Sequence, residues 1–293
     1  MVGDMPASEV DVTVKLVTGL LGDQRPDLTD SEVMALAFGW DNVLFRVGSE
    51  LVARFPRRQV AVDLLNNEAR WLPQLAPLLP QPIPSPVFVG DPGRGYPWPW
   101  SLVPWIPGES AATSSLDLPH LAGDLGAFLD ALHQPGPSEA PFNPYRGVPL
   151  ADRDEAMTTR VRSLGDLVNV KDVMTRWEEA LDAPTFNGAP VWLHGDLHPH
   201  NLLVVDGRLS GVLDFGDITA GDPATDLAVA WTLFPARDRV LFREAYGGID
   251  DATWVRAHGW AISLGMAFLA NSGDNPTMRT IGETTMKRVM ETG

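Results

Sequence analysis

Short apolar segments separated by polar turns fill the first hundred residues, and a helical pattern precedes them. Apolar side chains at Val10, Val14, Val17 and Leu21 recur at helical spacing, with Ser8 as the predicted N-cap. The later segments are short and bounded by turn residues, which favours strands. The predicted elements are helices at 8–21 and 60–72, and strands at 32–38, 43–47, 51–55, 86–90 and from 100 onward. This order predicts a small antiparallel sheet.

Helical periodicity dominates the later part of the chain. Helices are predicted at 117–133, 152–164, 171–181, 223–233, 236–246, 252–271 and 276–290. Among them, three short apolar runs at 191–193, 202–205 and 209–213 predict strands. Asp206-Gly207 favours a tight hairpin turn between the last two runs. The whole pattern predicts an α+β protein whose second part is mostly helical.

Polar residues stand at both ends of this predicted hairpin. Asp196 and Asn201 precede its first strand, and Asp214 follows its second strand. Because a two-residue turn brings the two ends of a hairpin together, these three side chains are expected to share one small volume. Carboxylate and amide oxygens are the ligands that Mg²⁺ prefers in proteins. The alternative is an ordinary hairpin with solvated polar residues at its ends.

The spacing of these residues is typical of phosphoryl transfer. Protein kinases separate a catalytic Asp from a metal-binding Asn by the same interval and follow them with Asp-Phe-Gly. Here the strings are HGDLHPHN and then DFGD. Together they resemble the signature of the aminoglycoside phosphotransferases, a branch of the kinase-like fold that acts on small molecules. By motif, the resemblance extends from Phe38 to about Trp231.

The resemblance implies a two-lobed, protein-kinase-like α+β fold. A nucleotide-binding lobe with a small antiparallel sheet is expected at 1–103, a hinge at 104–108 and a helical catalytic lobe at 109–293. It also implies Asp196 as the catalytic base, and Asn201 and Asp214 as ligands of Mg²⁺. ATP or GTP is the implied co-substrate.

In the first lobe, the turn at Gly39, Asp41 and Asn42 is expected to lie over the nucleotide phosphates. Gly39 is a single glycine and not a glycine-rich repeat, so by itself it indicates only a turn. In the hinge, the carbonyl of Pro104 and the N–H of Ile106 are the expected contacts to the adenine ring. Pro104 has no N–H to donate, but only its carbonyl is required.

Kinase-like folds place a cation on the third strand, held by a Glu on the next helix. None of the three lysines of this chain lies in that strand, and Arg54 occupies the position. Glu68 on the following helix is the predicted partner of Arg54. An arginine is not equivalent to a lysine there, because a planar fork replaces a point charge. Arg57 and Arg58 are the alternative cations, and both are expected to face solvent.

The formal net charge of −16 argues against a nucleic-acid partner, because nucleic-acid-binding proteins carry clustered Lys and Arg. Residues 1–100 carry 8 basic and 12 acidic side chains, and residues 101–293 carry 14 and 26. An acidic second lobe attracts a cationic acceptor, although a charge that serves only solubility is the alternative. Asp217 is the acidic residue predicted to face the acceptor.

The chain has no cysteine, which excludes disulfides and thiolate metal sites and predicts a cytoplasmic protein. No apolar run approaches the roughly 18 residues of a membrane span. The N-terminal stretch MVGDMPASEVDV is acidic where a signal peptide would be basic. We therefore expect no membrane partner, and a monomer or weak dimer.

Three further residues have predicted roles around the catalytic loop. Asp222 is expected to cap the helix that begins at Pro223, while Asp226 and His194 are expected to brace the loop. His198 and His200 suggest a zinc site, but nothing in the sequence completes a ligand set.

The acceptor is predicted to be a small molecule that carries a hydroxyl group. An aminoglycoside is the leading class that the resemblance implies. The alternatives are a macrolide, an endogenous amino alcohol or sugar, and a nucleotide-binding protein without catalysis. The absent lysine favours the last of these, whereas the complete set of Asp196, Asn201 and Asp214 opposes it.

Overall fold

The computed structural model describes residues 6–273 and 275–291, so the start of the acidic N-terminal stretch lies outside the described residues. The chain forms two compact units. The first unit runs to Leu78 and resumes over Pro82–Pro107. The second unit comprises Leu79–Gln81 and the chain from Gly108 onward.

The first unit is built on one five-stranded antiparallel sheet in the order β1-β2-β3-β5-β4. Its elements are α1 Val14–Gln24, β1 Val33–Phe38, β2 Asn42–Val47, β3 Leu51–Pro56, α2 Val60–Leu75, β4 Phe88–Gly90 and β5 Trp100–Pro104. Aromatic rings fill the core beneath the sheet: Phe55 stacks on Trp100 with ring centroids 5.1 Å apart. The edge of Tyr96 meets the same Phe55 ring, and its hydroxyl donates to the carbonyl of Pro56 at 2.8 Å.

Helix α1 begins later than the apolar pattern predicts. Thr13 caps it, because the Thr13 hydroxyl accepts the N–H of Leu16 at 3.3 Å. Ser8, the predicted cap, instead accepts a hydrogen bond from Arg57 Nε at 2.8 Å. Helix α2 continues beyond its predicted end, with Pro73 in its last turn.

The second unit carries short strands and most of the helices. Its strands are β6 Glu109–Ser110, β7 Val191–Leu193, β8 Leu202–Val205, β9 Arg208–Val212 and β10 Thr219–Gly221. They form a three-stranded sheet in the order β6-β8-β9 and a β7-β10 pair. The sequence predicts three of these strands. It misses β6 and β10, which are only two and three residues long and carry no readable alternation.

The helices of this unit lie close to their predicted positions. They are α3 Leu118–Leu132, α4 Asp154–Ser163, α5 Val170–Leu181, α6 Ala224–Leu227, α7 Val229–Leu233, α8 Ala236–Tyr246, α9 Asp251–Asn271 and α10 Pro276–Val289. Helix α9 packs against α4, α5, α6 and α10 and forms the centre of the unit. The one helix predicted over 223–233 is divided at Ala228, whose carbonyl accepts the N–H of Trp231.

The hairpin of β8 and β9 has the predicted turn. Asp206 and Gly207 have φ angles of 52° and 77°, which are the two positive values that a type I′ turn requires. This turn matches the twist of the flanking strands and pairs Val205 with Arg208, and a bulge after Leu203 shifts the register by one residue. Both ends of the hairpin therefore lie together, as the sequence predicts.

None of the helices in the described part of the chain is long and apolar enough to cross a membrane.

Candidate active site

Asp226 of α6 holds the loop between β7 and β8 in place through hydrogen bonds. The Asp226 carboxylate accepts the backbone N–H groups of His194 at 2.7 Å and Gly195 at 2.9 Å. Its Oδ2 also lies 3.2 Å from His133 Nε2, and His133 Nδ1 lies 2.8 Å from the hydroxyl of Tyr246. Burial raises the pKa of Asp226, but hydrogen bonds and nearby histidines outweigh it, so the pKa is lowered. Asp226 therefore braces the loop, as predicted.

His194 links the loop to the end of the hairpin. Its Nε2 lies 2.8 Å from the carbonyl of Leu213, and its Nδ1 lies 3.2 Å from the N–H of Asp196. A neutral ring that donates at Nε2 and accepts at Nδ1 satisfies both contacts. His194 is thus a structural brace, which ties Asp196 to the residue before Asp214.

Gly195 allows the loop to approach the segment after the hairpin. Its φ of +87° lies in the left-handed region, and a Cβ there would lie 2.4 Å from the carbonyl oxygen of Asp217. Any other residue would strain the backbone and push Asp217 away. The close contact of Gly195 with Asp217 keeps Asp217 near Asp196, the residue that follows Gly195.

Asn201 and Asp214 occupy the two ends of the hairpin. Asn201 donates its side-chain N–H to the backbone carbonyl of Asp196 at 2.9 Å. The backbone carbonyl of Asn201 accepts the N–H of Leu213 at 2.8 Å. Since the amide nitrogen is engaged, the amide oxygen is the atom that can bind a cation. Asp214 is exposed and has a φ of +62°, a strained conformation that is concentrated at functional sites.

This donor set fits Mg²⁺ held jointly with phosphate groups. One carboxylate and one amide oxygen are typical protein ligands for a magnesium ion that keeps water and phosphate in its remaining positions. Among residues 6–273 and 275–291, no group of three or more His, Asp or Glu side chains is arranged to hold a metal by itself. His198 and His200 thus lack the further ligands that zinc requires.

Two basic side chains lie beside Asp196. Arg146 Nη2 lies 2.9 Å from its Oδ1, and His198 Nε2 lies 3.4 Å from its Oδ2. Burial raises the pKa of Asp196, but the hydrogen bonds and charges of His198 and Arg146 outweigh burial and lower it well below the ordinary value. The carboxylate is therefore ionised at neutral pH, as a proton acceptor must be. The sequence gives no signal for Arg146, a single arginine in an irregular loop.

Asp217 lies beside the same loop. Its Oδ1 accepts a hydrogen bond from Asn143 Nδ2 at 2.7 Å. Burial raises the pKa of Asp217, with Asp196 adding to the effect and Arg146 opposing it. Asn143 and Arg146, which lie between the helices predicted at 117–133 and 152–164, thus contact Asp217 and Asp196 respectively. The role of Asp217 toward an acceptor stays a prediction.

In the first unit, Arg54 and Glu68 form the predicted ion pair. Arg54 lies on β3, and its Nη1 is 3.0 Å from Glu68 Oε1 and 2.9 Å from Oε2. Both residues are buried. Buried ion pairs require such close geometry, because each charge has lost its hydration. Whether the pair contacts phosphates stays a prediction.

The turn between β1 and β2 corrects the expectation for two arginines. Arg57 is 3% exposed and donates to the carbonyls of Pro6 and Gly39, at 2.7 and 3.1 Å. Arg58 Nη2 lies 2.6 Å from Asp41 Oδ1. Neither side chain faces solvent freely, because each one fixes the turn in place. Arg57 is therefore structural.

The remaining nucleotide-site candidates have defined surroundings. Gly39 closes the turn by donating its N–H to the carbonyl of Asn42 at 2.9 Å, and Asn42 Oδ1 is buried without a hydrogen-bond partner. Pro104 ends β5 opposite Leu51, and Ile106 is buried. Their contacts to a nucleotide stay predictions.

Replacing Arg54 by Ala is expected to lower nucleotide affinity more than the control substitution Arg70→Ala does. Arg70 is an exposed arginine on α2. The change also removes the guanidinium that neutralises buried Glu68, which costs on the order of 3–5 kcal/mol of stability. Arg54→Lys keeps a positive charge and separates the two effects. Calorimetric nucleotide binding, with thermal unfolding as the folding check, measures both. Equal nucleotide affinities in folded Arg54→Ala and Arg70→Ala variants would contradict the assignment.

Comparisons with known proteins add a second kind of observation. The family model described as "Phosphotransferase enzyme family" matches residues 32–260. An aminoglycoside 3'-phosphotransferase of Escherichia coli is 27% identical over 216 residues, which are 69% of this chain and 76% of that protein. Viomycin phosphotransferase of Streptomyces vinaceus is 32% identical over 198 residues, which are 62% of this chain and 67% of that protein.

Solved structures show the same fold. The GDP and kanamycin complex of APH(2")-IIia has a TM-score of 0.68 at 22% identity, covering 93% of this chain and 97% of that chain. Macrolide 2'-phosphotransferase MphH from Brachybacterium faecium has a TM-score of 0.62 at 21% identity, with coverage of 93% and 97%. The predicted kinase-like α+β fold is confirmed.

Proposed function

This chain belongs to the phosphotransferase enzyme family, and from that premise we propose that it transfers the γ-phosphoryl group of ATP or GTP to a hydroxyl group of a small molecule. One observation carries the proposal. The Asn201 side chain binds the carbonyl of Asp196, and its backbone pairs with Leu213, the residue before Asp214, on a loop braced by Asp226. Phosphoryl transfer requires a positioned carboxylate and ligands for magnesium in such an arrangement.

Asp196 is the proposed base. Its lowered pKa keeps it ionised, so it can accept the proton of the attacking hydroxyl. The new oxygen–phosphorus bond forms as the bond between the γ-phosphorus and the bridging β–γ oxygen breaks, and the nucleoside diphosphate leaves. The bond between Asn201 and the Asp196 carbonyl keeps this loop in place. Arg146 and His198 orient the Asp196 carboxylate, since each one contacts a different oxygen of it.

Asn201 and Asp214 are the proposed magnesium ligands, and when bound the ion neutralises negative charge on the phosphates. The left-handed backbone at Asp214 turns its carboxylate outward, where it is exposed. The bonds of His194 and Asn201 to Leu213 set the position of this turn. The donor chemistry supports the assignment.

For the nucleotide, we propose that Arg54, held by Glu68, contacts the phosphates. The Gly39–Asn42 turn, which includes Asp41, is the proposed cover of the phosphates. Pro104 and Ile106 are the proposed backbone contacts of the adenine ring. The GDP complexes of related phosphotransferases support a purine nucleotide as co-substrate.

For the acceptor, we propose an aminoglycoside. The relatives named above support this class, as does the acidic balance of residues 101–293. Asp217, beside Asp196, is the proposed contact to an ammonium group of the acceptor. A macrolide is the second candidate, supported by the likeness to MphH.

Turnover of ATP and GTP with a panel of both acceptor classes, with and without Mg²⁺, tests the proposal. Absence of acceptor-dependent turnover would refute it.

Salt dependence is expected to separate the two acceptor classes. Binding of a polycation through exposed carboxylates should weaken several-fold between low salt and about 0.15 M, because ions screen exposed charges. Binding through apolar contacts should barely change. Calorimetric titration of each acceptor at the two salt concentrations measures the effect. A salt-independent affinity for an aminoglycoside would contradict the proposed role of acidic side chains.

A further inference from the structure

Two arginines beside the catalytic loop, Arg146 and Arg153, each have a buried N–H donor without a hydrogen-bond partner. Arg146 bonds Asp196 through Nη2, but its Nε is buried without a partner. Arg153 ends the short helix Leu150–Arg153 and is 8% exposed, and its Nε is likewise buried without a partner. Its guanidinium lies 5.3 Å from the ring centroid of Tyr145, so the two arginines approach the same loop. Buried N–H groups without acceptors are rare and require an explanation.

A third arginine belongs to the same cluster. Arg160 lies on α4 and is half-buried. Arg160 follows Arg153, the residue directly before α4, by seven positions or about two helical turns, so the two side chains lie on the same face of this helix. Burial lowers the pKa of Arg160, and the charges of Arg153 and Arg146 lower it further, as their proximity requires. Within the described residues, neither Arg153 nor Arg160 forms an ion pair with a carboxylate within 4 Å.

The acidic groups nearby do not neutralise this cluster. Asp196 contacts Arg146 and His198, and Asp217 accepts its hydrogen bond from Asn143, so neither carboxylate forms an ion pair with Arg153 or Arg160. Asp152 attracts Arg153 only from a distance, without a hydrogen bond between the two. The cluster thus carries more positive charge than its protein neighbours balance, in a chain whose net charge is −16. An anion is the chemical complement of such a cluster.

We propose that Arg146, Arg153 and Arg160 form an oxyanion-binding subsite beside Asp196. Guanidinium groups present several N–H donors in a plane and suit phosphate and carboxylate oxygens. The placement rests on the proposed function, since Asp196 marks where the acceptor hydroxyl reacts. The oxyanion has two possible sources. It is either the phosphate monoester that transfer creates on the product, which agrees with an aminoglycoside acceptor, or an acidic group of the acceptor itself, which would exclude an aminoglycoside.

Calorimetric titration of the full chain with inorganic phosphate tests the subsite. Arg153→Gln and Arg160→Gln should each weaken phosphate binding by about tenfold, because each removes charge-assisted hydrogen bonds. Arg162→Gln is the matched control, since Arg162 is exposed on the same helix. If Arg153→Gln does not fold, the half-buried Arg160 still decides the outcome. Absence of phosphate binding, or equal affinities in the Arg160→Gln and Arg162→Gln variants, would overturn the subsite.

Two simple ligands distinguish the sources of the oxyanion. Tighter binding of phenyl phosphate than of benzoate, lost in Arg160→Gln, assigns the subsite to the phosphorylated product. The reverse order, lost in the same variant, assigns it to an acidic group on the acceptor. If neither ligand binds in an Arg160-dependent manner, the proposal is wrong.

The subsite and the proposed function fail separately. If the wild-type protein phosphorylates no acceptor while phosphate binding depends on Arg153 and Arg160, the function falls and the subsite stands. If transfer is normal and phosphate affinity is unchanged in the Arg153→Gln and Arg160→Gln variants, only the subsite is wrong.

Discussion

Replacement of Asp196 by Asn is expected to lower kcat for phosphoryl transfer by a factor on the order of 10² or more, because positioned proton acceptors contribute about that much. Asn keeps the size of the side chain but cannot accept the hydroxyl proton. Nucleotide affinity should change little, because the proposed metal ligands and phosphate contacts are other residues. Steady-state kinetics with an acceptor that the wild-type protein uses measures the loss.

The Asp196 result needs a control for the loss of negative charge. Asp182→Asn changes an exposed aspartate at the end of α5 in the same unit and should leave kcat unchanged. Thermal unfolding of the Asp196→Asn variant checks that the ion pair with Arg146 is not required for folding. Near-normal turnover in a folded Asp196→Asn variant would exclude Asp196 as the base.

The hairpin and its ends could be predicted from the sequence because local chemistry determines them. Asp206-Gly207 adopts the two positive φ angles of its turn with little strain and thereby sets the pairing of Val205 with Arg208. A bulge after Leu203 then shifts the register by one residue, so that the N–H of Leu213 bonds to the carbonyl of Asn201 and Asp214 follows directly. The turn brings the two ends of the hairpin together, whereas the bulge, which the sequence does not predict, selects the residues that pair there.

The contacts that the sequence did not reveal join residues far apart in the chain. Arg146 reaches Asp196 from a loop that has no apolar period, so nothing local predicts its direction. Arg57 was expected to face solvent, but it is buried because Ser8 and Pro6 pack back onto the turn.

Asp222 shows the same limit in a milder form. Its Oδ1 accepts the N–H of Ala224 at 3.0 Å, but α6 begins at Ala224 with Pro223 as its N-cap residue, so the predicted capping position of Asp222 is wrong. Asp222 also binds Arg256 of α9, with Nε 2.6 Å from Oδ2, in a buried ion pair. Two charged residues 34 positions apart give no pattern that would indicate this pairing. Local motifs therefore predict the catalytic loop, whereas the surrounding ion pairs depend on how the helices pack.

The Asp214→Asn variant is expected to lose transfer almost completely and to bind the Mg²⁺–nucleotide complex more weakly. The carboxylate charge is what a hard cation requires, and removing charge stabilisation at a reacting phosphate typically costs a factor of about 10² to 10³ in kcat. Asn is the better replacement than Ala, because Asp214 has a φ of +62° and Asn tolerates the left-handed region. The variant therefore changes charge with little added backbone strain.

The chain offers a matched control for Asp214, since Asp206 is also an exposed aspartate with positive φ, at 52°. Asp206→Asn should leave both transfer and nucleotide binding unchanged. Calorimetric titration of the nucleotide across a series of Mg²⁺ concentrations provides the measurement. In the wild type, affinity should rise with Mg²⁺, whereas in Asp214→Asn this rise should be lost or strongly reduced. If both variants keep the wild-type dependence on Mg²⁺, Asp214 is not a metal ligand, and the strained backbone at that position has another cause.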